Sequence, residues 1–330
     1  MPFFNRFGSA NTKNFGLSKI SGFKFATTIS ASVQNYNVRT AALAAGWDGL
    51  SRLTATVTVN AGVYVWTDTT STAAFVTGSM PAGSVVNIVN NGFIMGKGGH
   101  AGQNAGPAID LSANANITNN SYIAGGGGGG ASITTGNQAG GGGGAGGGAG
   151  GATGAAAGGA GGAIGQSGSN GARVAGFGGN YNGIGGGGGG GRILPGNGGR
   201  GAFGAYFEGL ASTLDICIIN YAGLGGEAGG GGGKFSGFGI SPFFQTAVQS
   251  VAGGGGGWGA AGGLTLSGTY AITDVINSGA GGSASAAGFN AYNQATDGSA
   301  GTRGSGGKAI NLNGYSVTYI TQGSIFGAVS

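Results

Sequence analysis

Three segments of the chain combine aromatic residues with glycine, serine and asparagine, which is the composition of binding loops. They are residues 177–184, 234–245 and 288–294. Tyrosine and phenylalanine offer a large contact area at a small entropy cost, and asparagine and serine offer adaptable hydrogen bonds. We therefore predict that these segments form a binding surface; the alternative is that their aromatic rings fold back and pack inside the protein. The candidate contact residues are Phe177, Tyr181, Phe235, Phe238, Phe243, Phe244, Phe289 and Tyr292.

Residues that could perform catalysis are few. The chain has one histidine, His100, and one cysteine, Cys217, whereas a Cys/His zinc site needs four ligands. The eight acidic residues are scattered, and the smallest separation is between Glu208 and Asp215, although a glycosidase pair could still meet in space. We expect His100 to be a solvated loop residue and Cys217 to be a small buried hydrophobe. The sequence predicts no catalytic residue, no metal site and no cofactor.

The composition excludes several classes of protein. Glycine accounts for 87 of 330 residues, far above the roughly 7% that is usual. Charged residues make up 6% of the chain and hydrophobic residues 40%, so the charge-rich composition of disordered proteins is not met. The glycines occur in runs and not at every third position, which excludes a collagen triple helix.

Basic residues are concentrated near the N-terminus. The net charge is +5, and six of the 13 lysines and arginines lie in the first 52 residues, where Asp48 is the only acid. Residues 1–22 have no sustained periodicity, and we interpret them as an extended arm, either solvated or docked on an acidic partner. The docking candidates are Phe3, Phe4, Arg6, Lys13 and Lys19. The rest of the chain has no basic cluster, so nucleic acid is not an expected partner. We also expect no signal peptide and no membrane span.

Two patterns near the N-terminus indicate regular structure. Residues 54–60 and 62–67 are rich in β-branched and aromatic residues and flank an Asn60-Ala61-Gly62 turn, so we expect two paired strands of a small β domain. Residues 35–45 have reasonable helix propensity and end at Gly46, which predicts one short helix.

A degenerate unit recurs after Val85: a β-branched alternation, an asparagine or glycine, an apolar residue and a glycine. The copies are residues 85–96, 115–125, 214–223, 270–279 and 315–327. Three copies follow a short lead-in strand, at residues 108–111, 263–266 and 309–312. Units of this kind bury their faces on one another, which predicts stacked β layers.

The glycine runs need their own explanation, because polyglycine in a linker would be flexible. The runs are residues 125–130, 140–144, 146–148, 185–191, 229–233 and 253–257. They are pure glycine and alternate with strand units, and all but residues 146–148 are five to seven residues long. A polyproline-II-like helix of six residues spans roughly 19 Å, and its peptide groups must bond to neighbouring helices when buried. We therefore predict a polyglycine-II helix bundle.

The predicted fold class is mostly β with this polyglycine-II bundle. A small N-terminal β domain is followed by stacked strand units and glycine-rich helices that display loops. The predicted divisions are a docking arm at 1–22, a β-rich attachment domain at 23–91 and a glycine-rich domain with distal loops at 92–330.

The chain resembles the glycine-rich tail proteins of tailed bacteriophages. The resemblance rests on residues 90–99, 106–109 and 117–130, where Asn-Asn-Gly-Phe-Ile and Asn-Asn-Ser-Tyr-Ile units lead into glycine runs, and it covers roughly residues 26–284. The chain is also similar to the T-even-type tail-fibre adhesins, but its N-terminal part is longer and richer in β structure. In these proteins a polyglycine-II sandwich displays variable loops at the fibre tip.

The resemblance implies a phage tail-fibre or tail-tip adhesin located in the virion and assembled in the host cytoplasm. It implies binding, without enzymatic activity, to an outer-membrane protein or polysaccharide on the bacterial surface. The loops at residues 177–184, 235–245 and 289–293 become receptor-contact candidates. The implied partners are other tail or fibre proteins, with a homotrimer as one possible assembly. The alternative is a structural tail component, or a non-viral glycine-rich structural protein, without receptor binding.

Overall fold

The computed structural model describes residues 22–134, 139–153, 156–174, 180–194, 196–199, 225–226, 228–232, 234–239, 246–271, 276–293 and 300–330. In this part of the chain, short strands greatly outnumber helices. The elements preceding the first long glycine run are β1 (Phe23–Ile29), β2 (Val33–Gln34), β3 (Tyr36–Asn37), α1 (Val38–Ala44), β4 (Leu53–Val59), β5 (Tyr64–Trp66), β6 (Phe75–Val76), β7 (Val85–Asn90), β8 (Phe93–Met95), β9 (Ile109–Asp110), β10 (Asn114–Asn119) and β11 (Tyr122–Ala124). Those that follow it are β12 (Arg173–Val174), β13 (Asn180–Gly185), β14 (Lys234–Gly239), β15 (Thr246–Val251), β16 (Leu266–Ala271), β17 (Ile276–Asn277), β18 (Tyr292–Asn293), β19 (Ile310–Asn311), β20 (Val317–Thr321) and β21 (Ser324–Phe326).

Three parallel sheets stack the chain into a β-solenoid-like body. The first sheet has the strand order β1-β4-β7-β10-β20, the second β2-β5-β8-β11-β21 and the third β19-β9-β6-β3. Successive turns of the chain add one strand to each sheet, with neighbouring strands about 4.8 Å apart. Alternate residues of the first sheet point inward, so that Val57, Ile88 and Ile117 stand in register and are fully buried. Burial of each such side chain contributes about 1.5–3 kcal/mol.

The expected pairing of residues 54–60 with 62–67 is wrong. Both segments contain strands, but β4 pairs with β1 and β7, whereas β5 pairs with β2 and β8. The intervening turn is a corner of the solenoid that passes the chain from the first sheet to the second. Each strand therefore bonds in parallel to the strand one full turn away in sequence.

The predicted helix is confirmed as α1. It begins at Val38 because the side chain of Asn37 accepts a hydrogen bond from the amide of Thr40, and it ends before Gly46, whose φ is +94°. Val38 and Ala42 are fully buried against the solenoid core. α1 is thus held mainly by packing, as expected for so short a helix.

Three copies of the repeated unit are confirmed as neighbouring turns of the solenoid. Residues 85–96, 115–125 and 315–327 provide the adjacent strands of the first and second sheets. The prediction that residues 270–279 form a turn of the stacked β layers is wrong, because their strands belong to an antiparallel sheet and to the antiparallel pair β17–β18. The copy at 214–223 and Cys217 lie outside the described residues. Two lead-in strands pair with each other as β9 and β19, whereas the third, at 263–266, leads into β16.

A ladder of buried asparagines closes one corner of the solenoid. Asn90 and Asn119 are fully buried at the ends of β7 and β10. The Asn90 side-chain amide donates to Asn119 Oδ1 (2.8 Å) and to the carbonyl of Tyr122 (3.1 Å). That of Asn119 donates to the carbonyls of Gln322 (2.8 Å) and Ser324 (3.2 Å). The ladder satisfies buried polar groups and ties the last turn to the preceding ones.

The glycine-rich region is an insertion in the fourth turn of the solenoid. β11 ends at Ala124, and the next solenoid strand is β19, which begins at Ile310. The amide of Gly307 donates to the carbonyl of Gly126 (2.8 Å), so the chain leaves and returns at adjacent positions. The predicted boundary at residue 91 falls between β7 and β8, which follow each other in one solenoid turn.

The glycine runs of the insertion pack against one another through their backbones. Glycines 125–130, 140–144, 186–191 and 253–257 are all buried. In the segment 142–146, successive amides donate to different neighbouring segments, and every third amide returns to the same neighbour. The pairs are Gly142 and Ala145 with residues 253–257, and Gly143 and Gly146 with residues 186–191, while Gly144 donates to Gly99. Buried peptide groups are thus paired without forming a conventional sheet.

A separate sheet, which is antiparallel, lies at the end of the glycine runs away from the solenoid. Its strand order is β12-β13-β14-β15-β16, and we call it the distal sheet. The run 125–130 starts at the solenoid, and the run 253–257 bonds to it in the opposite direction, since Gly256 donates to Gly128 and Gly253 to Ala131. β15, which immediately precedes residues 253–257, is therefore carried to the far end.

Candidate binding surface

The distal sheet brings two of the three predicted aromatic segments together. Tyr181 lies in β13, and Phe235 and Phe238 lie in β14. In the antiparallel register Tyr181 is opposite Phe238, and Ile184 is opposite Phe235. Phe177, Phe243 and Phe244 lie outside the described residues.

The third aromatic segment is attached to the same end. Tyr292 lies in β18, opposite Asn277 of β17. Ala291, immediately before β18, is buried in a small cluster with Val251 of β15. This packing joins the antiparallel pair β17–β18 to the distal sheet.

Phe289 combines a fixed backbone with an exposed side chain. Its amide donates to the carbonyl of Ala280 (2.9 Å), and its carbonyl accepts from the amide of Gly254 (3.1 Å). The side chain is nevertheless 59% exposed. An exposed aromatic ring on a hydrogen-bonded backbone offers contact area with little further loss of entropy on binding.

The predicted arm residues Phe3, Phe4, Arg6, Lys13 and Lys19 lie outside the described residues.

An aromatic ladder that sequence reasoning missed fixes the glycine-rich insertion to the solenoid. Tyr64, Phe93 and Tyr122 stack on successive strands of the second sheet, with ring centroids 4.7 and 5.9 Å apart, and Phe326 continues the row at 5.8 Å. The row packs against a buried cluster that contains Trp258 of the insertion. One signal was available, because Phe93 and Tyr122 occupy equivalent positions in two copies of the repeated unit.

Arg192 forms a second link between the two parts. Its Nη2 lies 2.7 Å from Asp68 Oδ1, its Nε donates to the carbonyl of Gly146 (3.2 Å), and its guanidinium lies 5.0 Å from the ring centroid of Trp66. The Arg192 side chain is 6% exposed and that of Asp68 is 49% exposed. Arg192 follows a glycine run directly, and nothing in its local sequence indicated burial.

Lys97 and His100 lie close to this link. Lys97 Nζ donates to the carbonyl of Gly147 (2.8 Å), and burial lowers the pKa of Lys97 to about 8, with a further lowering from Arg192 and an opposing effect of Asp68. His100 Nδ1 accepts a hydrogen bond from the amide of Ala149 (3.0 Å). Partial burial and the charge of Lys97 lower the pKa of His100. His100 is an exposed residue, as expected, but it is also hydrogen-bonded to the glycine layer.

We expect Arg192→Met to destabilise the fold by about 1–3 kcal/mol. The substitution keeps apolar contact with Trp66, but it removes the ion pair with Asp68 and one of the two donors to the buried carbonyl of Gly146, which then accepts only from the amide of Gly98. Chemical denaturation measures the loss. Asp68→Asn is the matched control, and its effect should be smaller because Asp68 is half exposed and its partner retains the bond to Gly146. An Arg192→Met variant as stable as the wild type would show that the link contributes nothing.

The described residues contain no metal-site cluster and no helix that could span a membrane. In the described part of the chain, no three His, Cys, Asp or Glu side chains cluster as a metal site would require. Within the same residues, no helix has the length and apolar character needed to cross a membrane.

Comparisons with known proteins point to one family. Residues 24–183 match the family model described as the phage tail fibre adhesin Gp38. This stretch includes most of the solenoid, the first glycine runs and the start of the distal sheet. Among solved structures, the gp37–gp38 adhesin tip complex of the bacteriophage S16 long tail fibre aligns with a TM-score of 0.40 and 16% sequence identity, covering 93% of this chain and 82% of that chain. A search of curated protein sequences finds no match. The match over residues 24–183, just under half of the chain, supports a phage tail-fibre receptor-binding adhesin, a component of the virion tail.

Proposed function

We propose that this adhesin binds its receptor, an outer-membrane protein or polysaccharide on the bacterial surface, through the aromatic segments at the distal end. The observation that supports the proposal is that the aromatic segments lie near one another at the distal end. Tyr181 is opposite Phe238 in the distal sheet, and the strand pair that contains Tyr292 packs on the same sheet through Ala291 and Val251. Residues separated by more than 100 positions in sequence are thereby gathered at the end away from the solenoid.

Phe289 supports this assignment over internal packing of the aromatics. Its ring is largely exposed, although its backbone is bonded on both sides. Hydrophobic side chains presented by a rigid backbone are typical of binding surfaces. The candidates Phe177, Phe243 and Phe244 belong to the same segments by sequence and are included in the proposal.

We further propose that the buried glycine runs are polyglycine-II helices. The return of every third amide to the same neighbour supports a helix with three residues per turn. Glycines 125–130 and 140–144 all have negative φ, as a left-handed polyproline-II-like helix requires, whereas positive φ occurs at Gly146 and Gly147 in a turn. Such a layer would hold the distal segments rigidly at a fixed distance from the solenoid.

The remaining parts of the proposal concern assembly. We propose that the N-terminal part, with the arm at residues 1–22, attaches to another tail or fibre protein, as one member of the gp37–gp38 complex does to the other. Three further points stay predictions. They are the domains 23–91 and 92–330, a homotrimeric state, and assembly in the host cytoplasm without a signal peptide. The proposed role is binding without catalysis.

The test of this function is selective binding to bacteria. We expect fluorescently labelled protein to bind some strains of a bacterial panel and, on those strains, to block adsorption of the phage that carries the same adhesin. An unrelated fluorescent protein of similar mass is the control. Failure to bind any strain that the phage infects would favour the alternative, a structural tail component without receptor binding.

A further inference from the structure

Leu50 is the most exposed large hydrophobic residue in the described part of the chain, with 84% of its surface accessible. The turn that carries it is tightly organised. Asp48 Oδ1 accepts hydrogen bonds from the amide of Leu50 (2.9 Å) and from the amide and hydroxyl of Ser51 (both 2.8 Å). These bonds hold the pKa of Asp48 below its ordinary value, so the carboxylate stays ionised and keeps the turn closed.

The base of the same turn is anchored in the core. Trp47 is buried, and its indole N–H donates to the carbonyl of Ser51 (3.0 Å). The guanidinium of Arg39 lies 5.4 Å from the centre of the Trp47 ring and donates to the carbonyl of Ser79 (2.6 Å). The buried ring of Trp47 and the carboxylate of Asp48 therefore fix the backbone that presents Leu50 to solvent. Preorganised apolar side chains of this kind lose little entropy on binding.

Leu43 extends the apolar surface beside Leu50. It is exposed near the end of α1, and the Cβ that Gly49 would carry as an alanine comes within 3.3 Å of its Cδ2. We call Leu43, Leu50, Arg39 and Arg52 the Leu50 patch. An isolated exposed leucine is ordinary, but Leu50 on its turn and Leu43 at the end of α1, with arginines nearby, provide an apolar centre and a polar rim for a small interface.

The charges around the patch indicate an acidic partner. Arg39 lies beside Gly49 of the turn and Arg52 follows it in sequence, so two basic residues outnumber Asp48, the one acidic residue of the turn. The amide of Phe23 donates to the carbonyl of Arg52 (2.6 Å), so β1 begins beside Arg52, and the sequence before β1 contains Arg6, Lys13 and Lys19. Both the patch and the preceding segment are thus basic.

The position of the patch leaves the receptor-binding end free. The outer aromatic row of the second sheet is covered by the glycine-rich insertion, whereas the Leu50 turn connects the third sheet to the first. A partner bound at the Leu50 turn would not occupy the second sheet, from which the insertion extends.

We propose that the Leu50 patch is the surface by which the adhesin docks on its tail-fibre protein, with Leu50 inserted into an apolar pocket bordered by acidic side chains. The inference rests on the proposed attachment to a fibre protein and adds the surface and its chemistry. Truncating an apolar hot spot at an interface weakens binding by roughly 30-fold or more.

The test compares Leu50→Asp with Ile320→Asp for binding to fibres purified from phage assembled without the adhesin. Ile320 is 68% exposed on β20 of the first sheet and is the matched control. We expect Leu50→Asp to weaken fibre binding by about 30-fold or more, with Ile320→Asp close to wild type. Leu50→Ser tests the loss of the side chain without an added charge and should weaken binding in the same direction.

Binding of the variants to bacterial cells separates this inference from receptor recognition. Leu50→Asp should bind cells as the wild type does, because the patch lies off the distal end. Wild-type fibre binding by Leu50→Asp would overturn the docking assignment, as would a wild-type protein that binds cells but not fibres. A wild-type dimer in sedimentation that Leu50→Asp dissociates would assign the patch to a second copy of the chain instead.

Discussion

Gly127→Ala should prevent stable folding of the glycine-rich insertion. Gly127 is buried, and a Cβ atom built on it would lie 2.2 Å from the carbonyl oxygen of Gly256 and 2.4 Å from that of Gly257. Both obstacles are backbone atoms of a neighbouring run, which has no side chain that could rotate away. The same residue donates to the carbonyl of Ala145 (2.8 Å), so a shift of the backbone would also break inter-run hydrogen bonds. We expect a loss of at least about 4 kcal/mol, a large fraction of the stability of an ordinary domain. Gly127→Val should leave no soluble protein.

Gly314→Ala separates this effect from the general cost of replacing glycine. Gly314 has φ +84°, and nothing lies within 4 Å of the position of an added Cβ. Its replacement is strained only by backbone conformation, at about 1–2 kcal/mol. Soluble yield and the midpoint of thermal unfolding compare the two variants. Equal stability of Gly127→Ala and the wild type would contradict close backbone packing of the glycine runs.

Local patterns predicted the parts of the fold that depend on local chemistry. The β-branched alternation in residues 85–96 and 115–125 marked neighbouring turns of the stacked sheets. The helix propensity of residues 35–45 and the stop at Gly46 located α1 to within three residues at its start and one at its end. Burial of the glycine runs also followed from their purity, because a flexible linker needs no such composition.

The connections between these parts could not be read from local sequence. A turn such as Asn60-Ala61-Gly62 suits a hairpin and a solenoid corner equally well, so partners one whole turn away were missed. β11 and β19 are successive solenoid strands although residues 125–309 separate them, and no local pattern records such a closure. Arg192 illustrates the same limit for side chains, because its partner Asp68 lies 124 positions away.

The candidate binding surface, like the fold, could be predicted only in part from the sequence. The composition of three segments predicted a binding surface, but their arrangement came only from the structure. The register of β13 with β14 sets Tyr181 opposite Phe238, and burial of Ala291 with Val251 brings the third segment to the same end. The sequence did not predict the Leu50 turn as a binding surface, since one leucine between Gly49 and Ser51 forms no pattern.

Removal of the distal aromatics should abolish receptor binding while leaving the fold intact. The variant replaces Tyr181, Phe238 and Phe289 by serine. Aromatic anchors at an interface each contribute about 2 kcal/mol or more, and their effects are not additive. We expect the triple variant to bind cells at least about 100-fold more weakly than the wild type. Phe289→Ser alone should weaken binding in the same direction, and its exposed side chain makes an effect on folding small.

Tyr315→Ser supplies the matched control. Tyr315 is also an exposed aromatic residue, but it lies between β19 and β20 on the solenoid. Its replacement should leave cell binding unchanged. Thermal unfolding of all variants confirms that any loss of binding does not come from loss of structure.

The most direct test of the account is the dissociation constant of the labelled triple variant on host cells, measured beside the wild type and Tyr315→Ser. We expect a selective loss of at least about 100-fold in the triple variant, with wild-type binding by Tyr315→Ser. A folded triple variant that binds host cells as tightly as the wild type would contradict receptor recognition by the distal aromatic segments.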